Sequence, residues 1–237
     1  MARAMLLAAG RGERMRPLTD TKPKPLLRAG GIALLEYHIR ALVAAGITDL
    51  VVNVAWQRSM LRDFLGDGSR FGARITISDE GDTALDTGGG VFRALPLLGS
   101  EPFWLVNGDV YIDYEFSQPA LPAGTHAHLL LVPNPTHNPA GDFALSGAQV
   151  ANTGSAMLTY SGVAVLSPEL FTGCEDGIFS LVPLLREAAD RGQLSGELHS
   201  GYWCDVGTPE RLRALDDRLR AAPRLTATDA GSSDAPG

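Results

Sequence analysis

The stretch that most constrains this chain is residues 4–19, where a short apolar run, Ala4-Met5-Leu6-Leu7-Ala8-Ala9, opens onto Gly10-Arg11-Gly12-Glu13-Arg14-Met15-Arg16-Pro17-Leu18-Thr19. The run is long enough for one buried strand and far too short to cross a bilayer, so it reads as the first strand of a sheet. In the loop that follows, Gly10 and Gly12 allow the backbone to approach a ligand and turn its N–H groups toward it, and Arg11, Arg14 and Arg16 add positive charge. Such a loop suits a polyphosphate. The P-loop requires Gly-Lys-Ser or Gly-Lys-Thr at its end, and the dinucleotide fingerprint requires a third glycine where this chain has Met15, so neither motif applies. What stands is Gly-x-Gly-x-Arg followed by Lys24, held between Pro23 and Pro25, which restrict the backbone and bias Pro23 and Lys24 toward extended conformations. A surface turn that is merely basic is the competing reading of the same residues.

A chain of 237 residues, 45% hydrophobic and 20% charged, has room for one α/β domain or two small ones and a substantial core. Its net charge of -7 argues against a nucleic-acid groove, and an anionic substrate has to be met by local Arg, Lys and metal. Cys174 and Cys204 form no C-x-x-C pair, which excludes a disulfide framework or a zinc site and leaves both as core thiols. Arg3 ahead of an apolar run resembles the start of a secretory leader, but the run is shorter than the apolar core of a leader and ends in an arginine-rich loop, so the chain reads as cytoplasmic, with no membrane partner.

Further along, helical spacing of apolar residues predicts a helix over 32–45 stopped by Gly46, then a strand at 49–55, a helix at 57–65 and a strand at 73–78. The alternation argues for βαβ units on a mainly parallel sheet. Gly88-Gly89-Gly90 precedes a helix expected at 91–98; three glycines there suit a flat group, such as a base, lying on bare backbone, or else a flexible loop. Residues 103–110 form an apolar strand that ends in Asn107-Gly108-Asp109, and ligands of open α/β sheets bind beyond such strand ends. A strand over 126–132 leads to a loop with Pro133, Pro135 and Pro139, too proline-rich to pair and apt to shape a pocket. Segments 143–145, 149–151 and 156–166 read as antiparallel strands, 168–171 and 180–191 as helices. Thr208 and Pro209 then start a helix running to about residue 219. The expected organisation is one domain over 1–222 and a disordered tail over 223–237.

Leu-Ala-Ala-Gly-x-Gly-x-Arg-Met-x-Pro-Leu-Thr followed by Pro-Lys-Pro-Leu resembles the signature of the sugar-phosphate nucleotidyltransferases, enzymes that join a nucleoside triphosphate to a sugar 1-phosphate. The resemblance implies a Rossmann-like, doubly wound α/β fold: a mixed, mainly parallel sheet flanked by helices, with a small antiparallel sugar-binding part. It implies a nucleotide site at Gly10, Gly12, Glu13, Arg14, Lys24 and Gly89, with Gly89 against the base. It further implies Mg²⁺ held by Asp109 and Asp205, substrate contacts from Asn107 and Asp142, and Arg14, Lys24 and Asp109 as the catalytic groups. In-line displacement at the α-phosphorus asks mainly for positioning and charge stabilisation, and its nucleophile is already an anion, so no histidine base is expected.

The motifs at 79–81, 86–90 and 134–143, with Trp-x-Asp-Val-Gly-Thr-Pro-Glu-Arg-Leu at 203–212, are most similar to the branch that couples UTP to N-acetylmuramate α-1-phosphate in cell-wall recycling. Guanylyl transfer to mannose 1-phosphate is the alternative within the family, and a non-catalytic nucleotide-sugar sensor the alternative outside it. The expected partners are small molecules, and the expected state is a monomer or weak oligomer.

Overall fold

Seven strands and four helices make up the first half of the chain in the computed structural model, which describes residues 2–221. They are β1 (Arg3–Leu7), α1 (Leu18–Thr21), β2 (Arg28–Ala29), β3 (Ile32–Ala33), α2 (Leu34–Ala44), β4 (Asp49–Val54), α3 (Arg58–Leu65), β5 (Arg74–Asp79), α4 (Asp86–Leu98), β6 (Phe103–Asn107) and β7 (Val110–Ile112). The second half adds β8 (Ala127–Val132), β9 (Phe143–Ser146), β10 (Gln149–Ala151), β11 (Met157–Leu166), α5 (Val182–Asp190), β12 (Leu194–Leu198), β13 (Trp203–Asp205) and α6 (Pro209–Ala221). The tail expected over 223–237 lies outside the described residues. Among the described residues, no helix is long and apolar enough to cross a membrane.

One sheet of nine strands runs in the order β5-β4-β1-β6-β11-β8-β12-β10-β9. Its first four strands are parallel; β11 enters antiparallel to both β6 and β8, β12 returns parallel to β8, and β9 and β10 close the far edge as an antiparallel pair. The expected antiparallel part is therefore continuous with the main sheet. Strand β11 spans both regions, with its register broken by a bulge between Tyr160 and Ala164.

The apolar runs of the sequence follow from burial on both faces. Ala4 and Leu6 of β1, Leu50, Val52 and Val54 of β4, and Trp104 and Val106 of β6 pack with Leu35, Ile39 and Leu42 of α2 and Leu61 and Leu65 of α3. The alternate residues Met5, Val51, Phe103 and Leu105 turn to the opposite face, against Val91, Ala94 and Leu98 of α4 and Leu185 and Ala188 of α5. A third cluster joins Met15, Leu27, Ala29 and Leu34 to Val206 and Leu215, so that α6 is packed against the segment following β1. Asp216 of α6 accepts the Gly30 N–H at 2.8 Å in the same region.

Three sequence expectations are corrected. The helix expected over 32–45 starts at Leu34, because Ile32–Ala33 pairs with Arg28–Ala29. The glycine triplet lies inside α4 rather than ahead of it. Strand β12 was not anticipated: its Leu-Ser-Gly-Glu-Leu sequence is weakly β-forming, and it is recruited by pairing over its full length with 127–131 of β8, where a Cβ on Gly196 would crowd the Leu129 carbonyl.

Candidate active site

The parallel register brings Asn53 of β4 and Asn107 of β6 level with Leu7 at the end of β1. Beyond that end lies a cavity of about 420 Å³. Gly10, Gly12, Glu13, Arg14 and Lys24 line it from the loop, Asn107 and Asp109 from β6 and the turn after it, and Gly207 from the turn after β13. Asn53, Glu80, Ala84, Asp86 and Thr87 form the remaining wall. This is the crevice position that open α/β sheets offer to ligands.

The loop owes its shape to local chemistry. Gly12 has φ +67°, and a Cβ there would also press on Lys24 Cβ and Thr19 Cγ2, each at 3.1 Å, so glycine is required twice over. Thr19 Oγ1 donates to the Gly12 carbonyl at 2.9 Å, and a 3₁₀ turn over Glu13–Met15 follows, with Met15 N–H donating to Gly12 O. Arg11 is directed away into Trp56, its guanidinium 3.5 Å from the ring centroid, and it donates to the Thr19 carbonyl. Arg14 is exposed at the cavity and makes no hydrogen bond or ion pair among the described residues. Of the loop arginines it is the one lining the cavity.

Pro23 is extended as expected, whereas Lys24 opens a 3₁₀ turn, Leu27 N–H donating to Lys24 O at 3.0 Å; the N–H that Pro25 lacks is not needed inside that turn. The turn delivers the Lys24 ammonium to Asp109, Nζ to Oδ2 at 2.6 Å. Strand β13 pairs antiparallel with β7, placing Asp205 opposite Val110, and Val206 N–H donates to the Asp109 carbonyl at 2.8 Å. The two aspartates, far apart in sequence, are thus brought close together, Asp109 in the turn before β7 and Asp205 at the end of β13; of the two, Asp109 lines the cavity. Asp205 is gripped by Arg211 Nη1 at 2.7 and 2.8 Å from its two oxygens, with His137 Nε2 at 3.0 Å from Oδ1.

Gly89, Asp142 and Asp205 are not among the residues lining the cavity, although Gly207, two residues after Asp205, is. Gly89 is buried against the Gly177 carbonyl, which a Cβ would overlap, and a Cβ on Gly88 would strike the Phe179 ring. Gly88 and Gly89 are thus accounted for by the close approach to α4 of the 177–179 segment, whose carbonyl at Phe179 accepts both their N–H groups, whereas a Cβ on Gly90 would strike the Asn53 amide and the Glu80 carboxylate. Asp142 spends its carboxylate within the chain, accepting from Tyr160 N–H at 2.8 Å and from the Asn138 amide at 3.1 Å.

Sequence reasoning missed the wall made by Asn53 and Glu80. Asn53 Oδ1 accepts the Ala8 N–H at 2.6 Å, its amide donates to Glu80 Oε1 at 2.7 Å, and Glu80 Oε2 accepts Leu85 N–H at 2.8 Å. Burial raises the Glu80 pKa above the usual carboxylate value, although these donors oppose the shift. The available signal was Asn53, a polar residue inside an otherwise apolar strand. Arg211 and His137 were missed because nothing local marks them as partners of Asp205.

A family model described as "Nucleotidyl transferase" matches residues 3–141. N-acetylmuramate alpha-1-phosphate uridylyltransferase of Neisseria meningitidis serogroup B is 48% identical over 220 residues, covering 89% of this chain and 95% of that protein. The protein of the same name from Caulobacter vibrioides is 36% identical over 236 residues, covering 92% and 97%. In backbone shape the chain is similar to the inositol-1-phosphate CTP transferase of T. maritima, with TM-score 0.71 and 20% identity over 94% of this chain and 97% of that one. Kinship that runs through the loop, the sheet and nearly the full length of its relatives places the chain in the nucleotidyl transferase family.

Proposed function

We propose that the protein transfers the uridylyl group of UTP to N-acetylmuramate α-1-phosphate, giving UDP-N-acetylmuramate and pyrophosphate. The observation that carries the reading is the cavity in which the Gly10–Gly12 loop, Arg14 and the Lys24–Asp109 pair face one another. The Neisseria relative supports the choice of nucleotide and sugar. An oxygen of the sugar 1-phosphate forms a bond to the α-phosphorus, and the bond from that phosphorus to the bridging oxygen breaks, releasing pyrophosphate. The loop N–H groups and Arg14 hold the triphosphate, and Lys24 lies against the α-phosphate or the incoming phosphate. Their fixed positive charge meets charge that develops in the transition state without reorganising.

The wall of Asn53, Glu80 and Thr87 takes the base end. Asn107 contributes to the sugar side, while Gly89 and Asp142 act as scaffold. A hard divalent cation suits the donor chemistry of Asp109 and Asp205, two carboxylates brought near each other by the pairing of β7 with β13, and Mg²⁺ bound there would supply charge neutralisation to the phosphates. We read the protein as cytoplasmic, a monomer or weak oligomer, and meeting small molecules alone.

The test is pyrophosphate release with Mg²⁺, crossing the common nucleoside triphosphates with a panel of sugar 1-phosphates. Turnover confined to UTP with N-acetylmuramate α-1-phosphate is expected. Turnover with GTP and mannose 1-phosphate instead would move the protein to a different pathway, and no turnover with any pair would leave a sensor.

A further inference from the structure

Arg211 stands in the first turn of α6, where its N–H donates to the Thr208 hydroxyl at 3.3 Å and so helps cap the helix. From there Nη1 reaches both oxygens of Asp205, and the two side chains are only 22% and 25% exposed. His137 closes the group, with Nε2 2.8 Å from Arg211 Nη1 and 3.0 Å from Asp205 Oδ1. Gly207 makes room for the guanidinium, since a Cβ there would overlap Arg211 Nη2. That glycine has no positive φ, so the space beside it, and not its backbone freedom, is what the arrangement uses.

The carboxylate assigned above to a divalent cation is therefore already held by a cation of the chain. A doubly charged ion placed on the same oxygens meets strong like-charge repulsion from a guanidinium so close, in a site only partly open to solvent. The other aspartate differs. Lys24 occupies one oxygen of Asp109 and leaves Oδ1 without a charged partner among the described residues.

We propose that Arg211 is a latch that competes with the divalent cation for Asp205, so that the cation enters only as Arg211 lets go. Within the chain, each aspartate already has a cationic partner, Lys24 on Asp109 and Arg211 on Asp205. Arg211 is on this account a positioning residue that sets how tightly the cation is held before substrate arrives. The inference rests on the reading that Asp205 faces a divalent cation.

The test is equilibrium binding of Mn²⁺, a spectroscopically visible divalent probe, to the substrate-free protein, read by electron paramagnetic resonance of the free ion. Arg211→Ala is expected to bind Mn²⁺ about tenfold or more tightly than the unmodified protein, the scale of losing one charged competitor. Arg211→Lys, which keeps the charge but not the fork, should fall between them. Adding Asp205→Asn to Arg211→Ala should abolish the gain. Equal or weaker Mn²⁺ binding by a folded Arg211→Ala protein, or a gain that survives Asp205→Asn, overturns the proposal; if Arg211→Ala does not fold, the Arg211→Lys comparison decides it alone. Pyrophosphate release by the unmodified protein is read separately. Turnover without the Mn²⁺ effect removes the latch and keeps the proposed function, whereas absence of turnover removes the function whatever the metal does.

Discussion

Lys24 Nζ lies 2.6 Å from Asp109 Oδ2 and ties the 3₁₀ turn after the glycine loop to the turn that follows β6. The lysine is almost fully buried while Asp109 remains 42% exposed toward the cavity, so the pair presents its carboxylate and hides its ammonium stem.

Removing that ammonium should leave the loop in place and take away a preorganised positive charge. Lys24→Met, which keeps the stem volume, is expected to lower kcat at saturating substrate by about 10²-fold or more, with KM changed much less. Steady-state kinetics with a parallel urea titration separates loss of chemistry from loss of folding. A kcat within about threefold of the unmodified enzyme would remove Lys24 from the catalytic groups.

Gly89→Ala sets helix propensity against packing. In an exposed helix the change would stabilise by about 1 kcal/mol. Here the added methyl overlaps the Gly177 carbonyl, and α4 or the 177–179 segment has to shift. The expected outcome is destabilisation of about 1–3 kcal/mol, the cost of overpacking a close backbone contact. A urea midpoint equal to or above that of the unmodified protein would show that the segment yields freely.

His38 is buried, and its Nε2 donates to the Val110 carbonyl at 2.8 Å. Burial lowers its pKa to about 4, with the Val110 carbonyl and the Asp109 charge opposing the shift. The unfolded chain takes up this proton near pH 6.5 and the folded one only near 4, so stability falls as pH drops through that window and is unaffected above it. The loss attributable to His38 is about 3 kcal/mol across the window. Urea unfolding of the unmodified protein and of His38→Gln at pH 7.5 and 5 should show a smaller loss in the variant, and parallel losses would exonerate His38.

The Tyr160 hydroxyl is buried without a hydrogen-bond partner among the described residues, and burial alone raises its pKa. An unpaired buried hydroxyl costs its desolvation and returns nothing. Tyr160→Phe should therefore leave stability unchanged or raise it by up to about 1 kcal/mol. A clear loss in a thermal or urea midpoint would show that the hydroxyl has a partner, such as an ordered water.

The loop and Lys24 were legible because their chemistry is local: glycine at positive φ, arginine at the strand end and proline around lysine are written in consecutive residues. The strands β1, β4 and β6 were legible for a related reason, since burial on both faces leaves unbroken apolar runs. The glycine triplet was visible but its cause was not, because Gly177 and Phe179 reach Gly88 and Gly89, and Asn53 and Glu80 reach Gly90, from other parts of the chain. Strand β12 shows the same limit, a segment of low intrinsic preference fixed by its neighbour β8.

By itself the sequence determined the alternation of strand and helix, the phosphate-suited loop and the presence of aspartates at strand ends, since these depend on interactions between near neighbours in the chain. Tertiary structure alone decided which side chains meet: Asn53 with Glu80, Asp142 with the backbone of β11, Lys24 with Asp109 and Arg211 with Asp205. Most of these contacts join residues on different elements, and charge and hydrogen-bond complementarity selects among them only after packing on the two faces of the sheet has set the distances.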